Sequence, residues 1–494
     1  MLRRNQIIAL IVLFVLVLGL KLLFTLSVSY PSYDSFYTLR EVDSIRDTAA
    51  PLSYDELSYQ GRSHIGGGFF YYLISIFSLA IPLVFILKYL FILFFMISLV
   101  FVFLITQKLF PARWIAFLIT TLAALSPSLF TFSLNGLSTT SFVFMLYLIL
   151  IYLFISIENK NNIVYFLVFF IMLMFTSSLS LALVLGTAFY FLLLRLEFLP
   201  IKKREFELLF FSGIFSLWYF TLLFKKLFVD GIESLWQGIP KELLSNYFAG
   251  MTLPLALSLV GFIPMILGFY ALYMVLFTQR NRNLLFLVAL SFSWGFLTWF
   301  KLIPFKEGIV FLTVTLVLLS GYTINRITTY FKKTKMSNVR PILAFGLILL
   351  ILLSFIPVFG FMKTLSENSP TDDELLTMDF IKENTPEDST ILGNIKDGHL
   401  ISGVAQRKNF FDEQFFFAPQ AQDRFDDAKK IFLSKSEVAV MSLLNIYNVD
   451  YIYISKNTLS NYGDQSLFIE SNCFEEIYST QTTKVYEIIC EDKQ

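Results

Sequence analysis

Long apolar runs are the feature of this sequence that most constrains its fold. Eleven runs stand between charged or turn residues, at 7–27, 83–107, 113–131, 139–157, 162–178, 179–196, 206–226, 252–277, 283–300, 308–326 and 341–362. A helix of roughly 20 apolar residues crosses a hydrocarbon core of about 30 Å. The chain is 56% hydrophobic and 15% charged, whereas soluble domains are roughly 25% charged. We therefore predict a polytopic α-helical membrane protein with eleven transmembrane helices.

Two segments near the start of the chain have a second interpretation. The run at 7–27 follows Arg3 and Arg4, as the core of a signal peptide would. Because no small-residue cleavage pattern follows it, we interpret it as a retained helix. The stretch 69–80 is apolar but ends before Pro82, so it is either a short span or an interfacial helix.

The basic residues of the short loops predict the orientation of the chain in a cell membrane. With the N-terminus in the cytoplasm, basic residues fall on the inside at 3–4, 108–113, 160, 202–204, 280–282 and 331–340, as the positive-inside rule requires. The first loop (residues 28–68), the second loop (residues 227–250) and the C-terminal end then lie outside. We predict a multi-pass protein with an extracytoplasmic C-terminal domain.

The chain changes character near residue 364. Residues 1–363 form the predicted transmembrane domain, and the polar tail (residues 364–494) is long enough for one small α/β domain. In the tail, 449–455 alternates as a strand does, and 372–384 has helical periodicity after a capping Thr371. The predicted apolar face of that helix consists of Leu375, Leu376, Phe380 and Ile381.

Both cysteines lie in the tail, at Cys473 and Cys490, and two strand-like segments between them flank residues 479–483. If these segments pair as a hairpin, the thiols face each other, and an oxidising exterior permits a disulfide. Two unpaired thiols in a small core are the other interpretation.

The first loop is rich in acid, with carboxylates at Asp34, Glu41, Asp43, Asp47, Asp55 and Glu56. Most are interpreted as solvated surface. Asp34 differs because it closely follows the first apolar run and stands among aromatic residues, whose low dielectric makes a carboxylate a better proton acceptor. In a helix, Tyr37 and Arg40 follow Asp34 along one face, where an arginine engages a phosphate or pairs with an acid.

The order acid-x-x-Tyr-x-x-Arg, followed by "GRSHIGGGFFYYL" at 61–73, resembles the start of GT-C membrane glycosyltransferases. These enzymes use polyprenyl-phosphate-linked sugars at the outer membrane face. The nearest likeness is to oligosaccharyltransferase catalytic subunits, with protein O-mannosyltransferases and lipid A aminoarabinose transferases behind. Residues 125–155, 301–322 and 380–415 resemble later parts of that fold in the same order. The resemblance implies a GT-C-like transmembrane domain with an extracytoplasmic α/β domain.

Two departures from oligosaccharyltransferases limit what the resemblance implies. Their second acidic motif, which helps hold a divalent metal, corresponds here to 135–142, which contains no acid. Their sequon-binding motif corresponds to 393–399, which keeps only Asp397 and Gly398. Metal-dependent Asn glycosylation is therefore disfavoured, and no cofactor is expected, because one loop acid with His64 is a poor ligand set for a hard cation.

The chemistry that the resemblance still implies is inverting transfer of a sugar from a polyprenyl-phosphate donor to a protein, glycan or lipid acceptor. Asp34 is the predicted general base. Predicted substrate-binding residues are Tyr37, Arg40, Lys301, Lys306 and Glu233, although the lysines also suit interfacial anchoring. In the second loop, Glu242 is an alternative to Glu233. Membrane lipid is an expected partner, and nucleic acid is not, because no basic stripe with aromatic residues occurs.

Two other functions remain open. A transporter or flippase for a lipid-linked substrate shares this architecture, but such proteins carry buried charges in mid-span, and these runs are almost free of charge. A GT-C-like scaffold that binds glycan or protein without catalysis is the third interpretation, and the missing second acid keeps it open.

Overall fold

The computed structural model describes residues 4–64, 66–134, 136–225, 239–248, 252–278, 281–333, 339–463 and 472–490. Helices dominate the chain as far as Glu367. In chain order they are α1 (Arg4–Leu26), α2 (Ser35–Thr48), α3 (Phe69–Phe77), α4 (Leu83–Leu109), α5 (Arg113–Leu125), α6 (Pro127–Thr131), α7 (Thr139–Ile155), α8 (Lys160–Thr176), α9 (Ser180–Leu196), α10 (Lys203–Leu223), α11 (Lys241–Tyr247), α12 (Leu253–Val260), α13 (Phe262–Thr278), α14 (Arg282–Trp299), α15 (Phe305–Lys332), α16 (Val339–Phe355) and α17 (Pro357–Glu367).

Each of the eleven predicted runs coincides with helix, which confirms a polytopic α-helical membrane protein. In the described part of the chain, five helical stretches are long and apolar enough to cross a membrane: Ile8–Leu26, Leu83–Leu109, Lys203–Leu223, Phe305–Phe331 and Phe345–Asn384. The last of them runs from α16 through α17 into the tail. Four more predicted runs are shorter apolar helices of 13 or 17 residues, α5, α7, α8 and α9. The predicted count of eleven full-length spans is therefore higher than length and composition alone support.

One predicted span, 252–277, is not a straight helix. It breaks between α12 and α13, which meet at an angle of 101°. Gly261 at the break has φ +89°, a conformation that costs glycine little and other residues much. The run therefore contains a sharp bend that its continuous apolar character conceals.

The first loop contains the amphipathic helix α2, a short hairpin of β1 (Tyr54–Asp55) and β2 (Arg62–Ser63), and α3. Helix α2 buries Phe36, Tyr37, Val42 and Ile45. Helix α3 has only 9 residues, which is too short to span a bilayer. Of the two interpretations of 69–80, the short helix that closes the loop agrees with this length.

The tail contains a five-stranded mixed sheet with the order β4-β3-β5-β7-β6. Its strands are β3 (Thr390–Leu392), β4 (Lys408–Asn409), β5 (Tyr451–Ile454), β6 (Phe474–Ser479) and β7 (Lys484–Ile488). Strand β3 runs parallel to β4 and β5, whereas β7 is antiparallel to β5 and β6. A disulfide joins Cys473 to Cys490 beside the β6–β7 hairpin, so the paired-thiol interpretation is confirmed.

Among the described residues of the tail, four helices accompany the sheet: α18 (Asp372–Asn384), α19 (Ala421–Leu433), α20 (Glu437–Ile446) and α21 (Lys456–Tyr462). A turn-rich helical segment fills Ile395–Asp397, Gly398–Leu400 and Ile401–Ala405. Helix α18 begins as predicted, with Thr371 and Glu374 forming a capping box. Its predicted apolar face is partly wrong, because Leu376 is 56% exposed. Glu374 is buried instead, since it caps the helix and accepts a hydrogen bond from Tyr33.

The first loop packs into the tail. Tyr59 lies in the same hydrophobic cluster as Phe410 and Phe411 of the tail, and it is 1% exposed. Ser58 Oγ donates to Asp412 Oδ2 at 2.6 Å, across 354 residues of sequence. The predicted domain boundary after residue 363 stays a prediction, because α17 continues across it and the loop completes the core of the tail.

Candidate functional site

Asp34 stands where the first loop, a turn of the helical part and the tail meet. It precedes the first residue of α2, and its side chain is exposed and makes no capping hydrogen bond. A carboxylate at this end of a helix is favoured by the helix dipole. The neighbouring Ser32 and Ser35 lie against Gly136, where a Cβ atom would come within 2.3 Å of Ser32 Oγ. Asp34 is therefore held at the turn before α7 with its carboxylate exposed to solvent.

A second carboxylate, Glu413 of the tail, lies within hydrogen-bonding reach of Asp34. Burial, followed by the charge of Asp34, raises the pKa of Glu413 well above its usual range. The raised pKa favours the protonated form of Glu413, which can donate a hydrogen bond to Asp34. We call these two residues the carboxyl pair. Glu413 is not among the residues predicted from the sequence, although its place within the aromatic stretch "NFFDEQFFF" is a signal for a buried acid.

Two lysines place positive charge beside the carboxyl pair. Both Lys396 and Lys306 are close enough to Glu413 to oppose the rise of its pKa. Lys306 is exposed at the start of α15, and Lys396 Nζ donates to Asn368 Oδ1 at 3.3 Å. Lys301 is also exposed and lies in the turn between α14 and α15. The site thus combines an exposed carboxylate, Asp34, with cations that can bind an anionic group.

The structure gives Tyr37 and Arg40 partners inside the protein. The Tyr37 hydroxyl donates to Glu41 Oε1 at 2.5 Å and lies 3.0 Å from both ring nitrogens of His64. Burial, aided by the charge of Arg62, lowers the pKa of His64 to about 4, so its ring is neutral.

Arg40 forms an ion pair with the buried Asp55. Asp55 Oδ1 also accepts hydrogen bonds from the backbone of Leu57 and Ser58 at 3.0 Å. Tyr37 and Arg40 therefore tie α2 to the rest of the first loop, and their predicted contact with substrate stays a prediction. Predicted residue Glu233 lies outside the described residues, whereas its alternative Glu242 pairs with Lys429 of the tail.

The turn before α7 has no acid of its own, but it contacts a carboxylate of α15. Thr140 Oγ1 donates to Glu307 Oε1 of α15 at 2.7 Å. Even so, the donors do not suit a divalent cation. Within the described ranges, no three His, Cys, Asp or Glu side chains converge as metal ligands. Lysines lie beside Glu413, whereas a hard cation requires several oxygen ligands.

Asp397, the acid kept at 393–399, faces the interior of the tail. It is fully buried and bound by Ser455 Oγ and by Asn457 Nδ2, the latter at 2.6 Å. The adjacent Gly398 is needed for packing, because a Cβ atom there would approach the Phe411 carbonyl to 2.3 Å. In this chain the Asp397–Gly398 pair therefore stabilises the tail.

No protein-family model matches the sequence, and no curated protein matches it. Solved structures do match. Oligosaccharyltransferase AglB from Archaeoglobus fulgidus aligns with a TM-score of 0.70 at 14% identity, over 98% of this chain and 74% of that chain. ArnT from Cupriavidus metallidurans aligns with a TM-score of 0.58 at 11% identity, over 98% of both chains. Arabinofuranosyltransferase AftD from Mycobacteria aligns with a TM-score of 0.60 at 14% identity, over 100% of this chain and 42% of that chain. The chain therefore has the GT-C fold of these membrane glycosyltransferases, as the sequence resemblance predicts.

Proposed function

We propose that this protein is a glycosyltransferase that moves a sugar from a polyprenyl-phosphate donor to a protein, glycan or lipid acceptor. The observation that carries the proposal is the carboxyl pair, with Lys306 and Lys396 beside it, at the junction of the helical part and the tail. The fold supports the choice of donor. The AglB structure contains an inhibitory peptide and dolichol-phosphate, and the ArnT structure contains undecaprenyl phosphate.

The proposed chemistry is a single displacement. Asp34 accepts the proton of an acceptor hydroxyl while that oxygen attacks the anomeric carbon. The bond between this carbon and the phosphate oxygen breaks, and its electron pair leaves with the polyprenyl phosphate. Lys306 and Lys396 neutralise the charge that develops on the phosphate. One displacement inverts the anomeric configuration, and Glu413 orients Asp34 through its hydrogen bond.

The proposed location is the cell membrane, with a cytoplasmic N-terminus and the carboxyl pair on the outer face. The disulfide between Cys473 and Cys490 supports this orientation, because such bonds persist in oxidising compartments. The basic short loops support it as well. Labelling of an introduced cysteine in the tail with a membrane-impermeant maleimide on intact cells tests the orientation, and protection of the tail would contradict it.

The test of function is transfer of labelled sugar from a panel of polyprenyl-phosphate sugars by the purified protein. We expect Asp34→Asn to lower kcat by about 10²–10⁴-fold, the usual contribution of a general base. Asp47→Asn is the matched control, because Asp47 is an exposed acid of the same helix. Glu413→Gln keeps a hydrogen-bond donor and should retain more activity than Glu413→Ala.

The proposal fails if the wild type transfers no sugar from any donor, or if Asp34→Asn is as active as the wild type. Activity should also survive EDTA, because the lysines rather than a cation carry the phosphate charge. Loss of transfer in EDTA that added metal restores would refute that part of the mechanism.

A further inference from the structure

A polar cavity of about 620 Å³ lies at the helix ends that are remote from Asp34. It is lined by the C-terminal ends of α4 and α7 and by the N-terminal ends of α8, α10 and α14. Helix α7 begins beside the carboxyl pair, at the turn that contacts Glu307, and ends at this cavity. Its 17 residues rise by about 25 Å at 1.5 Å per residue. The cavity is therefore separate from the candidate active site.

Positive charge exceeds negative charge around this cavity. Lys108, Lys202 and Arg282 line it, together with the acids Glu158 and Glu205. Both acids are already paired, Lys202 with Glu158 at 3.0 Å and Arg282 with Glu205 at 2.5 Å.

The cations around Glu158 make the electrostatic potential on this side of the cavity positive. The hydrogen bond and charge of Lys202, followed by the charges of Lys108 and Arg204, lower the pKa of Glu158. Arg204 also donates to the Glu158 carbonyl at 2.5 Å. The exposed Lys108 therefore brings a cation to the cavity beyond those that hold the two acids.

Unused hydrogen-bond donors also point to a ligand. Asn159 and Asn281 use their side-chain oxygens to cap α8 and α14, which leaves their amide N–H groups to donate elsewhere. The positive ends of these helices add to the attraction for an anion.

We propose that this cavity binds a phosphate group, as a free anion or as the headgroup of a membrane lipid. The lysines and Arg282 supply charge, and the asparagine side chains supply hydrogen bonds to its oxygens. Phe154 and Ile155 line the same cavity with apolar surface, which a lipid ligand would also contact. The site does not depend on the proposed glycosyl transfer, since about 25 Å of helix separates it from Asp34.

The test measures the thermal midpoint, Tm, of the full chain in detergent with three probes: inorganic phosphate, dihexanoyl phosphatidic acid and zwitterionic dihexanoyl phosphatidylcholine. We expect a saturable rise in Tm with phosphate or phosphatidic acid and none with phosphatidylcholine. Lys108→Gln combined with Lys202→Gln should weaken the apparent Kd by roughly tenfold or more, equivalent to about 1.4 kcal/mol. Lys203→Gln is the matched control, because Lys203 is 90% exposed and pairs with Glu207 instead.

A response to phosphate itself identifies a site that accepts the free anion, and a response to phosphatidic acid alone identifies a lipid headgroup site. The inference is overturned if neither probe raises Tm, or if the double variant binds as tightly as the wild type. If the double variant does not fold, Lys108→Gln alone decides, because exposed Lys108 can be neutralised without breaking the Lys202–Glu158 pair. Wild-type affinity in this single variant would equally overturn the inference.

Discussion

The carboxyl group of Asp397 should make the stability of the tail depend on pH, and replacement by asparagine should remove that dependence. Burial raises the pKa of Asp397 to about 7, against the hydrogen bonds from Ser455 and Asn457, which favour the charged form. The charge of Glu374 raises the pKa further. At pH 5 the folded tail keeps this carboxyl protonated, and at pH 8 it contains a buried charge.

The sign of the effect follows from the protons bound in each state. The unfolded chain releases this proton near pH 3.9, roughly the value of a free aspartate. Between that pH and about pH 7 the folded state binds more protons, so stability falls as pH rises. Above the folded pKa both states are ionised and the loss is complete. Between pH 5 and pH 8 the tail loses stability only up to the folded pKa of about 7. That range of about two pH units corresponds to roughly 3 kcal/mol of unfolding free energy.

Hydrogen–deuterium exchange of β3 and β5 peptides, corrected for the intrinsic pH dependence, measures the free energy of opening the tail. The difference between Asp397→Asn and wild type should shift by roughly 3 kcal/mol in favour of the variant from pH 5 to pH 8. The asparagine amide does not titrate, so any cost of its altered hydrogen bonds is the same at pH 5 and pH 8 and cancels when the two pH values are compared. Asp388→Asn is the control, because that carboxylate is 94% exposed. An equal difference at both pH values would refute a buried, titrating Asp397.

Two further predictions concern stability. Replacing Cys473 and Cys490 with serine should cost the tail roughly 3 kcal/mol, because the crosslink closes a loop of 17 residues; unchanged exchange protection of β6 and β7 would contradict it. In α1, buried Lys21 donates to the Phe130 carbonyl and to the carbonyl and hydroxyl of Ser133. Lys21→Met should lower stability by roughly 2–3 kcal/mol and Ser133→Ala by about 1 kcal/mol. The reverse order of Tm values would show that Lys21 does not join these helices.

Local patterns in the sequence predict the features that depend on local physics. The apolar runs locate the helices because lipid requires backbone hydrogen bonds to be made within the segment. Thr371 predicts the start of α18 because its capping box lies within one helical turn. The hairpin that brings Cys473 and Cys490 together likewise connects residues close in sequence.

Features that depend on distant residues could not be predicted in this way. Glu413 reaches Asp34 only because the tail folds back onto the first loop, and nothing near either residue records that pairing. Leu376 is exposed because Glu374 of the same helix is drawn inward by Tyr33, which belongs to the first loop. The bend after α12 left a fainter signal, since Gly261 and Pro264 interrupt an otherwise continuous apolar run.

The packing of Tyr59 and Ser58 into the tail has a consequence for biosynthesis. The ribosome makes Ser58 early and its partner Asp412 354 residues later. Because synthesis proceeds at roughly 5–20 residues per second, the part of the tail that covers the first loop is made tens of seconds after the loop itself. Throughout that interval Tyr59 and Ser58 have no native partner in the tail. A nascent chain arrested before residue 409 should therefore present the first loop to proteases and chaperones, and release of the completed chain should protect it.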